Sequence, residues 1–505
     1  MSFIGKNISA NIFSNVWSAV LMLFLTPLYV KFLGVESYGL IGFYLSWLAM
    51  IGILDTGISA TATREIAWFS ARPGEREKIP VFLRSIEVVY WSIVLFLGMG
   101  ILLGAWLFGV NWFQTKSLPP ELIRNTLSLM AISLIIHVPS GLYNAGLMGL
   151  QKQVECSGFL ALFGTIRGIG AAVVLWKINP DIRVFFLWQI FASILQTGVM
   201  RWLLWRKVRI DKAPARFSLE ILKSVKGFAG GMILITALSI LMTQADKLIL
   251  SRMVSLKIFG FYMLAWTVSS GLSRVAIPLM QAFSPRFTEL VSKGNDRELA
   301  KQVHLASQLM SVLIIPPAAL IMVFSKQILY AWLGNPEIAA GAWQILGVMV
   351  AGTVLTSCSY PALSILYSRK KLGSVIVMNL FFLTALFPLL IVMIIHFGAI
   401  GAAFIWVLYG LVQYVVYQVY GLEGITKTRF FSFLLRDLIV PCVVSFAVAG
   451  LSGYLLSGVK EGIVFFILLG FGLFVGWSVS LLSCGDLLKV ITEKISLKKK
   501  AVVTC

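Results

Sequence analysis

The chain has 505 residues, 59% of them hydrophobic and only 12% charged, with a mean hydropathy of +0.90 and a formal net charge of +21. Soluble domains carry about 25% charged residues, so this composition excludes a water-soluble protein. Apolar runs of about 20 residues recur along the whole length. They specify an all-α integral membrane protein and exclude a barrel, which would need alternating segments of about ten residues.

In chain order the apolar runs predict fourteen spans: 8–33, 38–62, 82–108, 122–148, 158–178, 184–205, 227–250, 258–282, 302–327, 338–366, 373–396, 398–420, 438–456 and 462–483. The first run exceeds the 7–15 residues of a signal-peptide core and no cleavage site follows, so it is expected to stay as a helix. A Gly-containing turn, FLGVESYG, separates the first two spans. The split at His396-Phe397-Gly398 separates the eleventh from the twelfth.

Lys and Arg concentrate in alternate short loops, 29 on one side against nine on the other. That bias argues against nucleic acid as a partner and puts both termini in the cytoplasm. The basic stretch RWLLWRKVRIDKAPARF lies midway through the first twelve spans. The expected domains are therefore an N-terminal six-helix bundle at 1–205 and a basic cytoplasmic linker at 206–226. A C-terminal six-helix bundle follows at 227–420, then two additional helices with a basic tail at 421–505. A shift of 221 residues lays Tyr38-Gly39 on Phe259-Gly260 and Arg64-Glu65 on Pro285-Arg286, the pattern of an internal repeat.

Proline frees a backbone carbonyl and kinks a helix. Pro27, Pro139, Pro278, Pro316-Pro317, Pro361 and Pro388 all fall inside spans, and Pro27, Pro139 and Pro278 are the candidate hinges. Packing irregularity is the plainer reading of any single one, because Pro and Gly are frequent in such helices.

Charges inside spans are costly and mark functional sites by default. Arg167 falls near the middle of the fifth span, in GTIRGIG, where Gly164 and Gly168 allow close helix approach. It either lines a cavity or pairs with Asp55 or Asp246. Arg274 lies one turn before Pro278, and Arg84 and Lys247 lie near span ends, where they either snorkel or extend a cationic path. Asp246 points about 100° away from Lys247 around the helix, so no pair between these neighbours is expected. Asp55, between Gly52 and Gly57, reads as a counter-ion or as a coupling site for a proton or sodium ion. His137 reads as a satisfied core histidine, and His304 carries no signal. Cys156, Cys358, Cys442, Cys484 and Cys505 have no paired spacing, so neither a disulfide framework nor a metal site is implied.

No G-x-x-x-x-G-K-[ST] motif, metal-ligand cluster or long outer loop is present, so neither a built-in ATPase nor another enzyme is expected. No cofactor is implied.

The stretches KNISANIFSNVWSAVLMLFLTPLYVKFLGVESYG, LDTGISATATREIA, QADKLILSRMVSLKIFGFY and SPRFTELVSKGNDREL resemble bacterial polysaccharide exporters of the Wzx flippase type. These belong to the multidrug/oligosaccharidyl-lipid/polysaccharide superfamily with the lipid II flippases and MATE drug exporters. The likeness covers spans one to twelve. Its motif positions fall on Gly34, Tyr38, Gly39, Asp55, Gly57, Arg64, Asp246, Lys247, Gly260 and Tyr262, and the last two spans resemble the extra pair of lipid II flippases. The resemblance implies two bundles around a cationic cavity with alternating access, in the bacterial inner membrane. The implied cargo is an undecaprenyl-pyrophosphate-linked oligosaccharide. Membrane lipids and other polysaccharide-assembly membrane proteins are the further implied partners. On this reading Arg167, Arg274, Arg84 and Lys247 attract the pyrophosphate, while Asp55 and Asp246 balance charge or couple an ion. A cation-coupled drug exporter, a membrane glycan polymerase or ligase, and a scaffold without transport are the alternatives.

Overall fold

A computed structural model describes residues 3–72, 74–115, 117–208, 216–220, 243–423, 433–457, 462–485 and 487–488, with the side chains of 3–9, 12, 53–56, 110, 372 and 463 outside the description. The described helices begin with α1 (Phe3–Ala71), α2 (Lys78–Trp112), α3 (Pro120–His137), α4 (Pro139–Gly149), α5 (Gln153–Lys177) and α6 (Ile182–Val208). Helical residues 243–253 form α7. Then come α8 (Leu256–Ser292), α9 (Asp296–Val323), α10 (Ser325–Leu333), α11 (Pro336–Ser368), α12 (Leu372–Phe381) and α13 (Phe387–Gly421). A π-helical turn, Leu434–Ile439, leads into α14 (Val440–Leu456), and α15 (Ile463–Ser483) follows. Among the described residues the one isolated bridge joins Gln114 to Ser255. The chain divides into two compact units, Met1–Met263 and Leu264–Cys505.

Ten described helical stretches are long and apolar enough to cross a membrane, against fourteen predicted. Phe13–Gly52 and Gly373–Gly421 each run through a bend between two predicted spans. The bends are single glycines, Gly34 (φ 78°, ψ 167°) and Gly398 (φ 59°, ψ −137°). Only glycine takes such angles without steric cost, which is why both breaks were readable. Span 227–250 falls mostly outside the described residues. The helix carrying span 258–282, α8, is not among the ten, since its stretch from Ser269 to Arg274 is polar.

Inside the first unit the 221-residue repeat becomes a physical contact. A Cβ on Gly39 would stand 2.9 Å from the Leu256 carbonyl oxygen, and one on Gly260 would collide with that of Val35. Val35 and Leu256 are 221 residues apart, as are Gly39 and Gly260, so each half offers the other the same two positions. That reciprocity is the mark of a two-fold-related contact. A Cβ on Gly42 would likewise strike Met263, its own repeat partner. Because the obstacles at Gly39 and Gly260 are backbone atoms, Gly39→Val is expected to cost about 1–3 kcal/mol by overpacking. The thermal unfolding midpoint checks it, with Gly100→Ala, placed in open space, as the unaffected control.

The predicted fourth span is broken at Pro139 into α3 and α4. Carbonyls at the break are taken by neighbours: Tyr90 donates to Val138 O (3.2 Å) and Thr197 to Ile136 O (2.7 Å). This is how a proline break is tolerated in a membrane, and it pins the break between α2 and α6. Pro27 lies inside α1 and Pro278 inside α8.

In the second unit α11 and α13 meet at Gly352, Gly410 and Gly421, whose added Cβ atoms would reach backbone oxygens at 2.7–2.8 Å. The last two helices dock on α9, where Ala319 and Phe324 pack with Ala449 and Phe465.

Candidate functional site

Both arms of α1 and the helices α5 and α6 wall a cavity of about 220 Å³ inside the first unit. The first arm contributes one face, including Leu25 and Tyr29, and the second contributes Tyr38, Ile41, Tyr44 and Leu48. These positions recur every three or four residues, so the Gly34 bend turns two helical faces onto one space. A Cβ on Gly168 would meet Leu25, and Tyr29 donates to Gly168 O at 2.8 Å. Gly164, one turn earlier, has open space beside it and lines the cavity. Of the two glycines, one brings helices together and the other makes room.

Arg167 lines this cavity fourteen residues into α5, about 21 Å along its axis. Its guanidinium reaches Gln196 Oε1 at 2.8 Å, Ser193 Oγ at 3.4 Å and the His137 ring at 2.8 and 3.2 Å. Arginine has no acceptor atom, so at least one imidazole nitrogen of His137 must be unprotonated to receive it. Every partner among these is neutral. Neutral acceptors that hold the fork without cancelling its charge leave a fixed positive potential on the cavity wall.

A second cluster lies five residues further along α6, about 7.5 Å. Glu87 on α2, with 3% of its side chain exposed, accepts from Arg201 (2.6 Å), Tyr143 (2.7 Å) and Arg84 (3.1 Å). Trp91 donates in turn to the Tyr143 hydroxyl at 3.0 Å. Arg84 is thus half-exposed and paired. With Arg201 it leaves one net positive charge on the basic-loop side of Arg167.

Lys247 is 1% exposed, so it does not snorkel. It bonds Thr243 O at 2.8 Å and the Asp246 carboxylate at 3.1 and 3.2 Å, which corrects the expectation that these neighbours do not pair. The 100° separation concerns Cβ directions, and a four-carbon stem spans it easily. Tyr262 on α8 closes the group with a short bond to Asp246. Among the described contacts Asp246 is therefore the partner of Lys247 and not of Arg167. Arg274 is exposed on α8 and belongs to the second unit. The side chain of Asp55 lies outside the described residues.

Sequence reasoning passed over Glu87 and the polar side of α6. Gln189, Ser193 and Gln196 stand at i, i+4 and i+7 in an apolar span, a stripe that announces a wet or occupied face. Among the described residues no group of three or more His, Cys, Asp or Glu is placed to hold a metal.

The family model described as "Polysaccharide biosynthesis protein" matches residues 4–291, more than half of the chain. The chain belongs to this family. A second model, MatE, matches residues 232–392, and the two together bear out the resemblance to Wzx-type flippases of the wider exporter superfamily. A Shigella flexneri protein named "Putative O-antigen transporter" is 22% identical over 382 residues, 74% of this chain and 87% of that protein. The inward closed structure of the lipid II flippase MurJ aligns with a TM-score of 0.72 at 16% identity, covering 94% of this chain and 99% of that one. An inward-facing multidrug resistance MATE family transporter aligns at 0.64 with 16% identity, over 81% and 96%. At such identities the structures show a common fold. This family member is a multi-pass, all-α membrane protein.

Proposed function

We propose that the chain is a flippase that needs no ATP and carries an undecaprenyl-pyrophosphate-linked oligosaccharide from the cytoplasmic to the periplasmic leaflet. It works by alternating access in the bacterial inner membrane, with both termini cytoplasmic, and draws on an ion gradient or the membrane potential. The observation that carries this reading is Arg167, a guanidinium about mid-way along a membrane helix, on a cavity wall, held by neutral partners. Inserting such a charge costs about 2.5–3.5 kcal/mol on translocon scales, which a scaffold has no reason to bear. A pyrophosphate supplies the missing anion in the bidentate geometry that arginine favours.

Tyr29, Tyr38 and Tyr44 around the same cavity offer aromatic faces and hydroxyls to the first sugar. Arg84 and Arg201 extend the positive path inside the first unit, and Arg274 is a further proposed pyrophosphate-attracting residue. Asp246 and Lys247 act as a mutually neutral pair, and Asp55 is the proposed coupling site for a proton or sodium ion. Pro27, Pro139 and Pro278 are the proposed hinges. The MatE match favours a drug exporter as the second reading, but drug cations need an acidic wall, and this one is basic. Depleting the protein and assaying which leaflet holds the lipid-linked saccharide tests the proposal. Accumulation on the cytoplasmic side is expected, and normal arrival at the outer leaflet would end it.

A further inference from the structure

A second cavity, of about 210 Å³, lies inside the first unit between the second arm of α1, the later part of α2, α3 and α7. Phe43, Phe113 and Leu127 form its buried wall. Phe43 packs edge-on against Phe113 with centroids 4.9 Å apart and tilts against Trp47 at 4.7 Å, so the wall is a fixed aromatic frame. The room comes from one helix. At Gly109 of α2 an added Cβ would stand 2.6 Å from Leu127, whereas at Gly104 it would meet nothing within 4 Å. Phe108 is exposed at the mouth, near the exposed Leu103 and Trp106. The arm of α1 turns Ile41, Tyr44 and Leu48 to the Arg167 cavity but Phe43 and Trp47 to this one, on different sides of the helix.

No lining side chain is ionisable, and the Trp112 indole N–H is taken by Ser251 Oγ at 3.0 Å. A trapped water needs about two to four polar partners, while a dry apolar cavity of about 150 Å³ takes benzene. The fitting occupant is therefore hydrocarbon. Its lining runs along α2 from Ile101 to Trp112, or about 16 Å, and half of a hydrocarbon core is about 15 Å thick. Beside Trp112 stands the exposed Arg252 of α7, its guanidinium 6.0 Å from the ring centre. It donates to the carbonyls of Asn111 and Trp112, which hold the fork without cancelling its charge.

We infer that this pocket binds one acyl chain of an anionic phospholipid, with Arg252 on the phosphate. An apolar slot one leaflet deep with a guanidinium beside its end is complementary to a charged head on a hydrocarbon chain. The site does not rest on the flippase reading; with the basic loops cytoplasmic, it belongs to the periplasmic leaflet. The isoprenyl tail of the cargo fits less well, because its pyrophosphate is assigned to Arg167 across the arm of α1.

Native mass spectrometry of the delipidated full-length protein, titrated with phosphatidylglycerol, phosphatidylcholine or undecaprenyl phosphate, tests the site. Wild type is expected to hold one phosphatidylglycerol about fivefold more tightly than phosphatidylcholine, the worth of one interfacial arginine. Gly104→Leu, whose side chain enters open space, is expected to lose that tight site. Ile101→Trp narrows the same space should the first variant fail to fold. Arg252→Gln is expected to keep the site and lose the preference. Tight binding equal to wild type in a folded pocket-filling variant overturns the pocket. A preference absent from wild type, or unchanged in Arg252→Gln, overturns the headgroup contact. Undecaprenyl phosphate that displaces phosphatidylglycerol from wild type gives the pocket to the cargo's tail and overturns the phospholipid.

Discussion

Arg167→Met is expected to slow export at least about tenfold while leaving the protein at least as stable as the wild type. The two halves of this result come from one fact, that the described partners of Arg167 are His137, Ser193 and Gln196 and none is an anion. Hydrogen bonds to a charged group contribute about 1.5–3 kcal/mol. Losing the fork should therefore weaken binding of a pyrophosphate about 10- to 150-fold. Arg167→Lys keeps the charge but not the bidentate geometry and should fall between. For stability the sign differs. Removing a guanidinium whose described partners are all neutral relieves its insertion cost, offset by a few neutral groups left with one bond fewer. Had the residue been half of a structural ion pair, its removal would cost about 3–5 kcal/mol. Thermal unfolding beside an export assay separates the two: a large loss of stability in Arg167→Met would make the residue structural.

The second large effect belongs to the Glu87 cluster, and its signature is the reverse. Glu87 is buried with three donors aimed at it, two of them arginines. Replacing both Arg84 and Arg201 by Met leaves that carboxylate facing the Tyr143 hydroxyl, which a tyrosine cannot neutralise. The double variant is expected to lose about 3–5 kcal/mol, the cost of a buried charge stripped of its partners. Adding Glu87→Gln should restore most of it, because the amide still accepts from Tyr143 and no longer needs a cation. Residues in contact couple in this way, and the cycle reads the coupling directly. If the triple variant unfolds no later than the double, the cluster is not held by charge.

These two sites were unequally legible in the sequence. Arg167 stood out because an ion inside an apolar run contradicts its surroundings, and that contradiction needs no structure to be seen. Its partners did not stand out. His137 is thirty residues away and Gln196 twenty-nine, and only the packing of α3, α5 and α6 joins them. Glu87 was hidden for a different reason: it lies near the start of α2, where a carboxylate looks solvated, and only the fold buries it. The bends were the easiest features, since Gly34 and Gly398 advertise their own angles. Asp246 and Lys247 were misread because helical spacing describes where side chains start and says nothing of how far they reach. His304 lies near a span end, and its partner in the fold, Asp437, is 133 residues away in the chain.

The most direct measurement is reconstitution. Purified protein is placed in liposomes carrying an undecaprenyl-pyrophosphate-linked oligosaccharide, and an impermeant glycosidase reports how fast the protected leaflet becomes accessible. Wild-type protein is expected to expose the protected pool, Arg167→Ala to slow this at least about tenfold, and protein-free liposomes to leave it intact. Wild-type vesicles that behave like empty ones would contradict the account.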